Sequence, residues 1–303
     1  MSVFARLFLG IYSLCLFLLQ PVLAIYLFKR SLKQPEYRQA WGQRFLARLP
    51  HFSPVPAGQK RIWVHAVSVG EAHAVSPLVH HWAKVHPQHE WAISCTTPTG
   101  LATCKQLYAG LNNVRFFYLP YDLPWLVKKC VRQVKAHALW IVETEIWPNL
   151  LLGAARQGIH TALLNARVSP TTGKRLAQLQ FISRPVLRSL GTLVCQTEAD
   201  AAVFENLGRK PDAICGNLKF DVALKPELAA IGRSWRASLQ ADQVLLFASS
   251  RDGEEALLLD ALNRCQFFKR MPKASVWIVP RHPQRFEEVF DLMADAATRM
   301  GVA

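Results

Sequence analysis

Seven short apolar runs, spaced by segments of helical character, constrain this chain more than any other feature. They lie at 62–66, 91–96, 114–119, 139–142, 161–164, 192–195 and 213–215, with helix-compatible stretches such as 71–85, 123–134, 150–157 and 199–207 between them. Strand, helix and strand repeated in this way predict a parallel sheet covered on both faces. A second set follows the segment 226–239: strands at 244–248 and 276–279, a helix over 254–267 between them, and a last helix from Arg285. Two strands do not make a stable sheet domain of this kind. The chain therefore reads as a fragment whose second domain is truncated.

Composition narrows the class. With 303 residues, 51% of them hydrophobic, the chain can form two domains with sizeable cores. The seven cysteines are scattered and include no Cys-x-x-Cys pair, which argues against a disulfide framework or a zinc site and for small core residues in a reducing compartment.

The 22 residues from Leu7 to Phe28 carry no charge. At 1.5 Å per residue they just cross a hydrocarbon core of about 30 Å. A cleaved signal peptide would have a shorter apolar region and a better small-residue cleavage site. The expectation is an uncleaved single-pass anchor, with a helix lying in the interface as the alternative because Gln20 and Pro21 interrupt the run. Eight Lys/Arg against one acid follow between Lys29 and Arg61, which places the body on the cytoplasmic side of the membrane. The net charge of +15 fits anionic headgroups, or an anionic substrate embedded among them. Nucleic acid is the rival partner for such a charge, but no nucleic-acid motif is present.

Polar groups gather just past the strand ends, where ligands bind in open α/β sheets. The run ending in Glu143-Thr-Glu145-Ile-Trp-Pro-Asn149 places two carboxylates there, as catalytic groups or as caps of the next helix. Val67-Ser-Val-Gly-Glu71 is a tight turn into a helix. Its backbone N–H groups suit an anion and Gly70 permits close approach. Glu71 is then either a general base facing a cleft or a carboxylate favoured by the helix dipole. Thr96-Thr-Pro-Thr-Gly100 lines the cleft or caps a helix, and Tyr118-Leu-Pro-Tyr-Asp-Leu-Pro124 is a rigid turn. Asn165-Ala-Arg-Val-Ser169 and Gly216-Asn-Leu-Lys-Phe-Asp221 add two more polar strand ends along the same edge.

In order along the chain, VHAVSVGEA (64–72), TTPTG (96–100), YLPYDLP (118–124), ETEIWPN (143–149), 165–169, GNLKFD (216–221), SSRDGEE (249–255) and PRHPQRF (280–286) resemble the bacterial 3-deoxy-D-manno-octulosonic acid (Kdo) transferases of lipopolysaccharide synthesis. The resemblance implies a GT-B glycosyltransferase, two Rossmann-like domains facing a cleft. It implies inverting transfer of Kdo from CMP-Kdo, a donor substrate rather than a cofactor, to the tetra-acylated lipid A precursor at the cytoplasmic face of the bacterial inner membrane. By matching position, Glu71 would be the general base. Glu143 and Lys219 would organise and stabilise the transition state, and Pro280 and Arg281 would contact the CMP of the donor. Lys219 could serve the donor carboxylate or the charge that develops during transfer. No metal ligands stand at recognisable spacing.

The expected organisation is a membrane anchor (1–30), a basic membrane-proximal segment (31–60), an acceptor domain (61–222) and a partial donor domain (223–303). In Trp41-Gly-Gln-Arg-Phe-Leu46, Gln43 stands where the family usually has Glu, a change assigned to membrane-proximal or acceptor contacts. The alternative to an active transferase is a truncated, catalytically inactive acceptor-binding remnant of the same family.

Overall fold

The computed structural model describes residues 1–221 and 226–302 and divides into two units, Met1–Ala223 and Leu224–Ala303. The domain boundary expected at 222/223 lies outside the described residues.

The first unit opens with α1 (Val3–Leu18), α2 (Gln20–Lys33) and α3 (Trp41–Leu46). Next come β1 (Arg61–His65), α4 (Val69–Val85), β2 (Glu90–Cys95), α5 (Pro98–Leu107), β3 (Val114–Tyr118) and α6 (Pro124–Val134). It continues with β4 (Ala138–Val142), α7 (Pro148–Arg156), β5 (His160–Ala166), α8 (Pro170–Gln178), α9 (Gln180–Arg188), β6 (Thr192–Cys195), α10 (Glu198–Asn206) and β7 (Ala213–Ile214). All seven strands pair in parallel, in the order β3-β2-β1-β4-β5-β6-β7. Strand order reverses between β1 and β4, and that switch point is where a doubly wound sheet opens a crevice.

Alternation along each strand supplies both faces. Trp63, Phe117, Leu139, Ile141 and Leu163 pack with Val127, Val131, Leu150, Leu151 and Val186 on one side. Ile62, Val64, Trp91, Ile93 and Val142 pack with Ala72, Val75, Val79 and Leu101 on the other. Each such large side chain contributes roughly 1.5–3 kcal/mol on burial.

The uninterrupted span expected over 7–28 is broken. Pro21, in the first turn of α2, has no N–H to continue the ladder, and its ring crowds the carbonyl four residues back. The helices bend by 44°, and among the described residues no single helix is long and apolar enough to cross a membrane, although the bent pair passes by length and composition. One face of α1 is docked on the sheet unit. Ala5 is fully buried, the Tyr12 hydroxyl donates to Asp122 Oδ2 (3.1 Å), Asn149 Nδ2 donates to Ser13 Oγ (3.2 Å), and Phe8 meets Phe181 edge-on. Val3, Phe4, Leu7, Ile11, Leu14 and Leu18 stay exposed on the other face.

The basic segment is also corrected. Arg44 and Arg61 are buried, so six rather than eight of its cations face solvent. Arg61 is fully engaged: it pairs with Glu90 and donates to the carbonyls of Val134 and Ser53 (both 2.6 Å), fastening the segment to the sheet. Gln43 Oε1 accepts from Tyr118 N (2.7 Å), while Arg44 lies over the Tyr118 ring and donates to the Thr96 carbonyl (2.6 Å). Position 43 thus binds α3 to the end of β3 through a neutral acceptor. Four cysteines (95, 104, 130 and 195) are core residues as expected, whereas Cys15, Cys215 and Cys265 are exposed; all seven are free.

The second unit contains α11 (Pro226–Ser238), β8 (Gln243–Ser250), α12 (Glu254–Arg264), α13 (Phe267–Arg270), β9 (Ala274–Pro280) and α14 (Phe286–Met300). Its two strands are parallel. The segment 226–239 is helical as far as Ser238, and the helix expected over 254–267 stops at Arg264 because Gln266 turns left-handed (φ 49°).

Candidate active site

The first strand, β1, ends at His65, and the chain turns through Val67 into α4. Ser68 caps that helix through Glu71 N (3.4 Å) and Glu71 stands in its first turn, a Ser-x-x-Glu pair that differs from a capping box in that the carboxylate reaches back to Val67 N. Glu71 Oε2 accepts from Val67 N (2.7 Å) and Oε1 from the Ser68 hydroxyl (2.9 Å). The carboxylate of Glu71 therefore fills the helix N-terminus where an external anion was expected. A carboxylate offers about four acceptor positions, of which Val67 N and the Ser68 hydroxyl take two. Burial pushes the Glu71 pKa up to about 7; its two hydrogen bonds oppose the rise, and the charges of Glu145 and Glu143 add to it.

The Thr-Thr-Pro-Thr-Gly turn holds this corner rather than lining it. Thr97 caps α5 through Gly100 N (3.1 Å), and the Thr96 and Thr97 hydroxyls donate to the Val67 carbonyl (3.3 and 3.2 Å). A Cβ on Gly100 would lie 2.8 Å from Thr97 Oγ1 and 3.2 Å from the Val67 carbonyl oxygen, so glycine is needed for the close approach.

Across the switch point, β4 ends at Val142 and Glu143 adopts a left-handed backbone (φ 62°), a conformation that costs a non-glycine residue about 1–3 kcal/mol. Its carboxylate lies 2.8 Å from Lys219 Nζ, outside hydrogen-bond geometry. Glu145 accepts from Trp147 Nε1 (2.8 Å); burial raises its pKa, the Trp147 bond opposes this, and Glu143 adds to it. Three carboxylates thus feel one another here, and Lys219 is the cation paired among them.

Lys219 is placed by a residue whose role the spacing alone did not indicate. Asn165, at the end of β5 and also left-handed (φ 56°), accepts from Leu218 N through Oδ1 (3.1 Å), which sets the 3-10 turn Leu218–Asp221. Gln196 Nε2 holds the Asn165 carbonyl (3.0 Å). At the end of β1, the fully buried His65 bonds Ser94 through Nδ1, and burial lowers its pKa to about 4, so the ring is neutral. Asp122 was likewise unmarked within its proline-rich turn. Its two oxygens accept from Asn149 N (3.0 Å) and Leu150 N (2.8 Å), fixing the start of α7 directly after the paired glutamates.

Of the expected site residues, Glu71, Glu143 and Lys219 are thus brought to one sheet edge. Pro280 and Arg281 lie at the end of β9 in the second unit, Pro280 buried and Arg281 exposed, with Arg281 N donating to the Ser250 carbonyl (2.9 Å). Among the described residues no group of three or more His, Cys, Asp or Glu side chains is placed to hold a metal ion. The arrangement can hold a hydroxyl against a carboxylate of near-neutral pKa, with a cation beside it for developing or substrate negative charge.

Known proteins resemble this chain in sequence and in fold. The family profile of 3-deoxy-D-manno-octulosonic-acid transferase (kdotransferase) matches residues 39–222. The 3-deoxy-D-manno-octulosonic acid transferase of Bordetella pertussis is 31% identical over 283 residues, 92% of this chain and 65% of that protein. The Haemophilus influenzae protein of the same name is 28% identical over 285 residues, 93% and 65% of the two. This chain therefore spans about two thirds of the length of these relatives. Among solved structures, UDP-GlcNAc 2-epimerase from Neisseria meningitidis bound to UDP-GlcNAc superposes with a TM-score of 0.54 at 12% identity, over 78% of this chain and 69% of that one. At that identity the likeness concerns the fold, an α/β arrangement of GT-B-like type with a parallel sheet. The profile match and the motifs at the β1, β4 and β7 ends place the chain in the 3-deoxy-D-manno-octulosonic-acid transferase family of glycosyltransferases.

Proposed function

We propose that this protein transfers Kdo from CMP-Kdo to the tetra-acylated lipid A precursor with inversion, Glu71 acting as general base. The observation that carries the reading is the buried carboxylate of Glu71 in the first turn after β1, at the switch point of the sheet, with the Glu143–Lys219 pair brought to the same sheet edge. A sugar hydroxyl is a poor nucleophile near neutral pH; a carboxylate that accepts its proton as the bond forms lowers that barrier. Lys219 offsets negative charge next to the reacting centre, and the strained Glu143 holds Lys219 in place. Pro280 and Arg281 contact the cytidylate, where the guanidinium compensates the charge of the leaving group.

The acceptor is a membrane lipid, and the exposed apolar face of α1 and α2 supports attachment to the inner membrane from the cytoplasmic side. With Tyr12 and Ser13 committed to the protein body, α1 lies in the interface along one face rather than crossing the bilayer. The test is a transfer assay with CMP-Kdo and tetra-acylated lipid A precursor, combined with calorimetric titration of CMP. Transfer together with CMP binding supports the reading. Lipid binding without CMP binding or turnover would make the protein an acceptor-binding module instead.

A further inference from the structure

Helices α6 and α7 approach closely: a Cβ on Gly153 would lie 2.9 Å from Val127 Cγ1. Beside this contact a groove of about 390 Å³ opens, floored by Leu9 of α1, Val127 and Leu152. Three cations edge it: Lys128 and Arg132, four residues apart on one face of α6, and Arg156 in the last turn of α7. Among the described residues no carboxylate lines it. Arg156 also reaches Met1 Sδ (3.8 Å), so the cationic edge meets the start of α1, whose outer face exposes Phe4, Leu7 and Ile11. Trp125, half exposed and edge-on to Phe17 at 5.7 Å, supplies the amphipathic ring favoured at a membrane interface.

We infer that this groove seats the phosphate of an anionic bilayer phospholipid, with the acyl chains running along the exposed face of α1. The chemistry is complementary in both parts: cations with no carboxylate partner among the described residues, over an apolar floor that is continuous with an apolar surface. The occupant is a bulk lipid rather than the acceptor, because Arg156 stands at the far end of α7, roughly 12 Å along the helix from its start beside Glu145. The inference rests on the interfacial placement of α1.

The experiment is flotation of the full chain with phosphatidylcholine vesicles, with and without phosphatidylglycerol. Lys128→Gln/Arg132→Gln/Arg156→Gln is compared with a charge-matched control, Lys84→Gln/Lys105→Gln/Arg115→Gln; all six side chains are exposed, so both variants keep the fold. The groove variant is expected to lose on the order of a hundredfold in affinity for phosphatidylglycerol vesicles, about fivefold per cation, and the control much less. Equal weakening of both variants, with binding to neutral vesicles retained, overturns the groove alone. Failure of the wild type to bind either vesicle overturns the interfacial placement of α1 and the groove with it.

Discussion

Each unit seats a buried glutamate in the first turn of the helix that follows its first strand, and the two are treated in opposite ways. Glu255, in α12, is 1% exposed and is gripped by Arg285 through both oxygens (2.9 and 3.2 Å). Burial alone would raise its pKa, but the Arg285 bonds dominate and hold it below the ordinary carboxylate range. Glu71, in α4, has a hydroxyl and a backbone N–H for partners, and neighbouring carboxylates where Glu255 has a guanidinium. The same seat in a strand–helix turn can thus lock charge in place or leave a carboxylate ready to take a proton. The difference lies in one cation.

The largest expected effect comes from removing the poised carboxylate. Glu71→Gln keeps the shape of the cap and is expected to slow transfer by about 10²–10⁴-fold, read as kcat in the transfer assay. Stability moves the other way. A carboxylate whose folded pKa is raised favours the native state fully below its unfolded pKa and loses that contribution as pH rises through about 7. Relative to wild type, the variant is therefore expected to gain stability on denaturant titration above pH 7. Glu255→Gln should do the reverse, lowering the stability of the second unit in urea by about 2 kcal/mol through loss of a charge-assisted pair. Asn165→Ala should cost about 1.5 kcal/mol and lower kcat together, because the acceptor that sets Lys219 is lost while the left-handed backbone remains. Tyr12→Phe should cost about 1 kcal/mol of thermal stability with transfer in detergent unchanged.

Much of this was legible in the sequence. Seven apolar runs gave seven strands within a few residues because each ends at a turn whose chemistry is local: a Pro, a Gly or a capping hydroxyl. Polar residues past those ends marked the sheet edge, since a parallel sheet has one edge where its turns can carry a site. What could not be read depended on long-range partners. The break at Pro21 was visible, yet the docking of α1 on Asp122 and Asn149 joins residues more than a hundred positions apart. Arg44 and Arg61 looked like surface charges of a basic segment because nothing local in their sequence reveals burial. The contrast between Glu71 and Glu255 was likewise hidden, because Arg285 lies thirty residues from its partner.

The most direct test of the account is the pH dependence of kcat/KM for Kdo transfer, in wild type and in Glu71→Gln. A general base must be ionised to act, and burial keeps the proton on Glu71 until about pH 7. The wild-type rate should therefore climb as pH rises through about 7 and level off above it, and the residual rate of the variant should lack that limb. A variant that retains the wild-type rate, or the same rising limb, would contradict the assignment of Glu71 as the base.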